Sequence, residues 1–146
     1  MKIQNVSYAD IVTGVHVNPG TNSMLIQIVD PGMEFPLPNH QFKSMHQFEF
    51  TDVECSDDVG WESRITKAQT RDIANLIRKA KHGDMNIVVH CVAGVCRSGA
   101  VVEVATMAGF DDIPGIFRLP NIYVKRMLME EFGYYVTKSD FDNIFK

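Results

Sequence analysis

The chain is short of several things, and each shortage excludes something. It has only three cysteines in 146 residues, Cys55, Cys91 and Cys96. An odd, low count does not staple a small secreted scaffold and points instead to a reducing, cytoplasmic setting. The opening residues Met1-Lys2-Ile3-Gln4-Asn5 lack the apolar stretch of a secretory leader. No apolar run reaches the roughly 18 residues that a membrane span needs. Basic charge is scarce as well: 14 Lys and Arg stand against 18 Asp and Glu, a net charge of −4. Such a balance makes a poor general binder of nucleic acid or of an anionic membrane. Any anion it takes must be held by a local site against the overall field.

What is present suits a globular domain. Hydrophobic residues make up 45% and charged residues 22%, both ordinary values. The length fits a single domain over 1–146, with a core that removes roughly two-thirds of the unfolded surface from water. In the first half the pattern predicts short strands. Ile11 to Val17 is rich in β-branched residues, and Asn18-Pro19-Gly20 stops it. Met24 to Val29 is an apolar run of strand length ended by Asp30-Pro31-Gly32. Phe35 to Pro38 is a loop. Gln47 to Thr51 alternates, with Phe48 and Phe50 on one face.

The second half alternates helix and strand. Thr66-Lys67-Ala68-Gln69 is a capping box, and Ile73, Leu76, Ile77 and Ala80 recur at helical spacing until Gly83. Asn86 to His90 is a buried central strand. Ser98 to Met107 is a helix closed by Gly109. Asp111 to Pro120 is a loop. Asn121 caps an amphipathic helix to Phe132, and Gly133 ends it. The tail from Tyr134 has no clear pattern. Met24, Met107, Met127 and Met129 are expected to fill the core. Strands followed by helix–strand–helix argue for an α/β sandwich with a partly parallel sheet.

The informative stretch is Val89-His90-Cys91-Val92-Ala93-Gly94-Val95-Cys96-Arg97-Ser98-Gly99. A buried strand ends in a cysteine, a tight loop with Gly94 follows, and a helix begins at Ser98. Backbone N–H groups in such a loop all point at one oxyanion, and the helix N-terminus adds partial positive charge. Arg97 supplies a planar fork for two phosphate oxygens. Cys91 lies at the bottom of the same positive field, which favours its thiolate, the nucleophilic form. Phosphate-binding parts and a nucleophile in one loop imply covalent phosphoryl transfer.

This string resembles the signature of the cysteine-based protein tyrosine phosphatases, HC-x5-R followed by Ser or Thr. The form His90-Cys91-x-Ala93-Gly94-Val95-x-Arg97-Ser98 is most similar to the dual-specificity branch. Met24–Pro31 resembles the family's strand and Asp-Pro opening. Phe48–Val53 resembles its Phe-x-Asp segment, and Pro120-Asn121 its Pro-Asn element. The resemblance implies an α/β fold with a central, mostly parallel sheet flanked by helices, and a set of roles. Cys91 would be the nucleophile. Arg97 would bind the phosphoryl oxygens. Ser98 would hydrogen-bond the Cys91 sulfur and ease its departure. His90 would support the loop and favour the thiolate. The amides of Val92, Ala93, Gly94, Val95, Cys96 and Arg97 would complete the phosphate cradle. No metal or organic cofactor is implied; His90, Cys91 and Cys96 together fall short of the four ligands zinc takes.

A general acid is also required, because an alkoxide or phenoxide leaves poorly without a proton. In the family it is an Asp upstream of the cysteine. Local context favours Asp52, within Phe50-Thr51-Asp52. Spacing favours Asp57 or Asp58, which precede Cys91 by 34 and 33 residues against 39 for Asp52. Trp61 lies either beside the site or against the sheet. Cys96 is unusual in this loop: it is either a small side chain that fits or a redox partner for Cys91. The implied substrates and partners are phosphorylated proteins, on tyrosine and on serine or threonine. Phosphoinositide phosphatases and RNA 5′-triphosphatases share the signature. Their substrates are more anionic, however, and residues 92–96 contain no Lys or Arg. A non-catalytic phosphate-binding module is the reading from another class. Sulfur or arsenate chemistry on a Cys-x5-Arg loop is a third, which His90 and Ser98 disfavour.

Overall fold

The computed structural model describes residues 1–113 and 117–134. Five strands form one sheet: β1 Lys2–Ser7, β2 Ser23–Val29, β3 Ser44–Glu49, β4 Asn86–Cys91 and the two-residue β5 Asp111–Asp112. Their order is β3-β2-β4-β1-β5, and every pairing among the described residues is parallel. The helices are α1 Tyr8–Thr13, α2 Lys67–His82, α3 Arg97–Met107 and α4 Ile122–Phe132.

The two faces of the sheet are covered unequally. Ile3, Met24, Ile26, Ile28, Phe48, Ile87 and Val89 face the larger core, shared with α2, α3 and α4. Val6, Leu25 and Val88 face a smaller one closed by Ile11, Val17 and Phe42. The central strands β2 and β4 are buried on both faces, as parallel strands are. Helix α3 is apolar nearly all round and buried over residues 97–102 and at Val104 and Ala105, which marks a core helix rather than a surface one.

Several expectations from the sequence are met locally. Thr66 and Gln69 make a reciprocal capping box at the start of α2. Asn121 caps α4, and Gly133 closes it with φ 73°. Others are corrected. The β-branched stretch from Ile11 is not a strand: residues 8–13 are helical. Ser7 and Asp10 form a capping box just upstream, and Gly14 ends the turn in a left-handed conformation. Capping outweighs the β propensity of Ile11, Val12 and Thr13. Strand β1 carries no apolar run to announce it, because Gln4 and Asn5 stand at its centre. Both are fully buried, and an unpaired amide there would cost about 1–3 kcal/mol. Gln4 is paired with the His16 carbonyl at 2.8 Å and the Asn18 N–H at 2.7 Å. Strand β3 starts three residues earlier than the alternation suggests and stops at Glu49. Asp111 and Asp112 pair with β1 instead of forming loop. Met107 is 45% exposed and fills no core. Most of the tail, from residue 135, lies outside the described residues.

Candidate active site

In a parallel sheet the strand ends rich in loops gather on one edge, and ligands of open α/β sheets bind there. Ser7, Val29, Glu49 and Cys91 end β1, β2, β3 and β4 at that edge. The loop 92–96 therefore rises from the middle of the sheet, between the ends of β1 and β2.

Its shape is imposed by its neighbours. The Val92 carbonyl accepts from the Tyr8 N–H (3.1 Å) and the Val95 carbonyl from the Leu119 N–H (3.3 Å). The Cys96 carbonyl accepts from the N–H groups of Asn121 (2.9 Å) and Ala100 (3.0 Å). The Gly94 carbonyl accepts from the buried Asn5 amide at 2.7 Å. Four loop carbonyls, those of residues 92, 94, 95 and 96, are thus engaged by neighbouring segments at the N-terminus of α3, an arrangement suited to a loop that offers its N–H groups to an anion. Gly94 makes this possible. It has φ +74°, and a Cβ there would lie 2.4 Å from the Val6 carbonyl carbon. No other residue fits.

Cys91 is 2% exposed, and its Sγ lies 3.2 Å from Ser98 Oγ, on the first turn of α3. Arg97 is buried as well. Its Nη1 donates to Asp30 Oδ1 at 2.8 Å and to the Phe50 carbonyl at 2.7 Å. Both hydrogens of that nitrogen are used, so the Nε and Nη2 edge is left as the fork for an oxyanion. Asp30, just past the end of β2, is in the sequence a turn residue and part of the Asp-Pro resemblance, with no role at Arg97 indicated. A carboxylate at a strand end, one layer from an arginine loop, carries no sequence signal of such a pairing.

His90 is fully buried, with its Nδ1 3.2 Å from the Cys91 carbonyl. Burial pushes its pKa down to about 4; the carbonyl bond opposes this and Arg97 reinforces it. The ring is thus neutral at pH 7, with Nδ1–H donating to the carbonyl. It holds the loop and lends it no charge.

The three upstream aspartates are placed very differently. Asp52 follows β3, and its Oδ1 accepts from the Asn121 side-chain amide at 2.7 Å. The Cys96 thiol faces the same carboxylate. Burial first, then Asp52 and Cys91, push that thiol up to about 11, so it is protonated. Asp58 instead closes its own turn, accepting from the N–H groups of Glu54 (2.8 Å) and Cys55 (3.2 Å), which lowers its pKa. Asp57 is exposed in that turn. The structure thus brings Asp52 to the loop and leaves Asp57 and Asp58 in an excursion of the chain. That excursion is anchored by Trp61, whose ring lies 4.9 Å from that of Tyr123 on α4, with the Arg64 guanidinium 4.5 Å from its centroid. Trp61 packs on α4, not on the sheet. Cys91 and Cys96 are both free thiols. Among the described residues no group of three or more His, Cys, Asp or Glu is arranged to hold a metal ion. No helix among them is long and apolar enough to cross a membrane.

A family model for protein-tyrosine phosphatase matches residues 28–111, which run from the end of β2 through the whole of the loop 92–96 and α3. The chain belongs to the protein-tyrosine phosphatase family. Its fold agrees with that assignment. The human tyrosine phosphatase-like serine/threonine/tyrosine-interacting protein has a similar structure, with a TM-score of 0.57 and 17% identity, covering 92% of this chain and 93% of the other. Human DUSP28 is similar at a TM-score of 0.50 and 14% identity, covering 97% and 86%. At such identities the likeness is one of fold alone. No curated protein sequence matches the chain. Within the protein-tyrosine phosphatase family, this member combines a loop without basic side chains at 92–96 with an arginine anchored by Asp30.

Proposed function

We propose that this protein-tyrosine phosphatase family member hydrolyses phosphomonoesters of proteins, on tyrosine and on serine or threonine, through a cysteinyl-phosphate. The observation that carries the reading is the meeting of Cys91 Sγ and Ser98 Oγ under a loop whose Arg97 keeps one fork edge free. In the first step the Cys91 thiolate attacks phosphorus and the bond to the leaving oxygen breaks. Asp52 gives that oxygen its proton. The loop amides and Arg97 hold the charge that spreads over the equatorial oxygens. In the second step the Asp52 carboxylate takes a proton from water, whose oxygen attacks phosphorus. The sulfur–phosphorus bond breaks, and its electron pair returns to Cys91, with Ser98 donating to the departing sulfur. Every group these steps need is a side chain or amide of the chain.

Phosphoproteins are favoured over polyanionic lipids or triphosphate RNA because residues 92–96 carry no cation and the chain is net acidic. A cytoplasmic setting belongs to the same reading, since Cys91, the proposed nucleophile, has to stay reduced. The test is one turnover assay across phosphotyrosine and phosphoserine peptides, phosphoinositides and triphosphate RNA, with Cys91→Ser and Arg97→Ala beside the wild type. Peptide turnover lost in both variants supports the proposal. Turnover retained in Cys91→Ser sinks the mechanism. Peptide binding without turnover in the wild type makes the protein a phosphate-reading module instead.

A further inference from the structure

Asn121 makes more bonds than a helix cap requires. Its Oδ1 caps α4 by accepting from the Val124 N–H at 2.9 Å. Its backbone N–H reaches the Cys96 carbonyl of the phosphate loop at 2.9 Å. Its Nδ2 donates to Asp52 Oδ1 at 2.7 Å and to the Val53 carbonyl at 3.0 Å. The residue is 1% exposed, so its cap and its bond to the Val53 carbonyl are shielded from water, while the bond to Asp52 is part-buried. One residue thus touches the phosphate loop, the proposed acid and the end of α4 at once.

We propose that Asn121 is a positioning residue for Asp52, its side-chain amide fixing the carboxylate relative to the phosphate loop. The inference rests on the reading of Asp52 as the general acid. An exposed aspartate on a strand-to-loop junction otherwise samples several rotamers, and a proton donor misplaced by about 1 Å loses much of its effect. Two neighbours reinforce the hold. Glu54 Oε2 accepts from the Ile122 N–H at 2.7 Å, tying the residues after Asp52 to the same helix end. The Cys96 thiol, protonated at neutral pH, faces the same carboxylate.

Two substitutions separate this role from capping. Asn121→Ser keeps a good N-cap and the backbone bond to Cys96 but removes both amide donors. Asn121→Asp also keeps the cap and places a second carboxylate against Asp52. Turnover is read as kcat/KM, which reports the first step, on aryl phosphates of graded leaving-group basicity. The melting temperature of each variant is measured alongside. Asn121→Ser should lower kcat/KM about tenfold for phenyl phosphate and less than about twofold for a nitrated phenol, which needs little protonation to leave. Asn121→Asp should be worse than Asn121→Ser on phenyl phosphate at a similar melting temperature. Equal losses on good and poor leaving groups overturn the proposal and leave Asn121 a structural cap. No loss in either variant, with Asp52→Asn impaired on poor leaving groups, overturns it while the reading of Asp52 stands. An Asp52→Asn protein without that leaving-group dependence overturns both.

Discussion

Arg97 Nη1 lies 2.8 Å from Asp30 Oδ1, across from the carboxy-terminal end of β2. The arginine is buried, whereas Asp30 is about half exposed at 54%. A half-solvated ion pair contributes little to stability. Its consequence is orientation: it fixes which edge of the guanidinium faces the loop. Asp30→Asn should leave the melting temperature within about 2 °C and lower kcat/KM on an aryl phosphate about tenfold. An unchanged kcat/KM would show that the Phe50 carbonyl alone holds the arginine.

Gly94 is the steric hinge of the loop. Gly94→Ala meets both a positive φ and the backbone of β1 at 2.4 Å. The expected cost is at least about 2 kcal/mol, with turnover lost because the loop amides are displaced. Chemical denaturation and aryl phosphate turnover check the two parts separately. A fully active Gly94→Ala protein would refute this account of the loop.

His90 gives stability a defined dependence on pH. Its folded value of about 4 lies below the ordinary 6.5, so between those values the unfolded chain binds the proton and the folded chain does not. Stability is then complete above pH 6.5 and is lost as pH falls toward 4, by on the order of 3 kcal/mol. Denaturant midpoints from pH 7 to pH 4 should show that decline in the wild type. His90→Gln, which retains a donor for the Cys91 carbonyl, should show a shallower slope.

Ser98 touches the sulfur that departs in the second step of the proposed reaction, at 3.2 Å. Ser98→Ala should slow release of phosphate more than release of the alcohol, with kcat down about tenfold and a burst of the first product. Rapid-mixing kinetics on a nitrophenyl phosphate measure both phases. A Ser98→Ala protein without a burst, and with equal losses in both phases, would remove that role.

The strand–loop–helix frame around Cys91 is legible in the sequence almost completely. The order of strand, Cys91, Gly94, Arg97, Ser98 and helix is contiguous, so its chemistry is legible without knowing what surrounds it. The same holds for the α2 and α4 caps, which depend on residues three apart. Where the reading went astray, a distant contact or a local cap decided. Strand β1 is hidden by Gln4 and Asn5, which are polar because they bond His16, Asn18 and Gly94. Helix α1 replaces an expected strand because a capping box competes with β-branched side chains.

The aspartates show the limit most directly. Spacing and local context pointed to different residues, and nothing in the chain between 52 and 58 could separate them. The tertiary structure separated their positions by giving each carboxylate its partner: Asn121, 69 residues away, for Asp52, and the adjacent backbone for Asp58. Asp30 and Arg97, 67 residues apart, meet only because β2 and β4 are neighbours in the sheet. The scarcity of basic charge is read from composition alone. Where the few cations are spent depends on contacts between distant segments, because hydrogen bonds and ion pairs act over a few ångströms of space and not over positions in a chain.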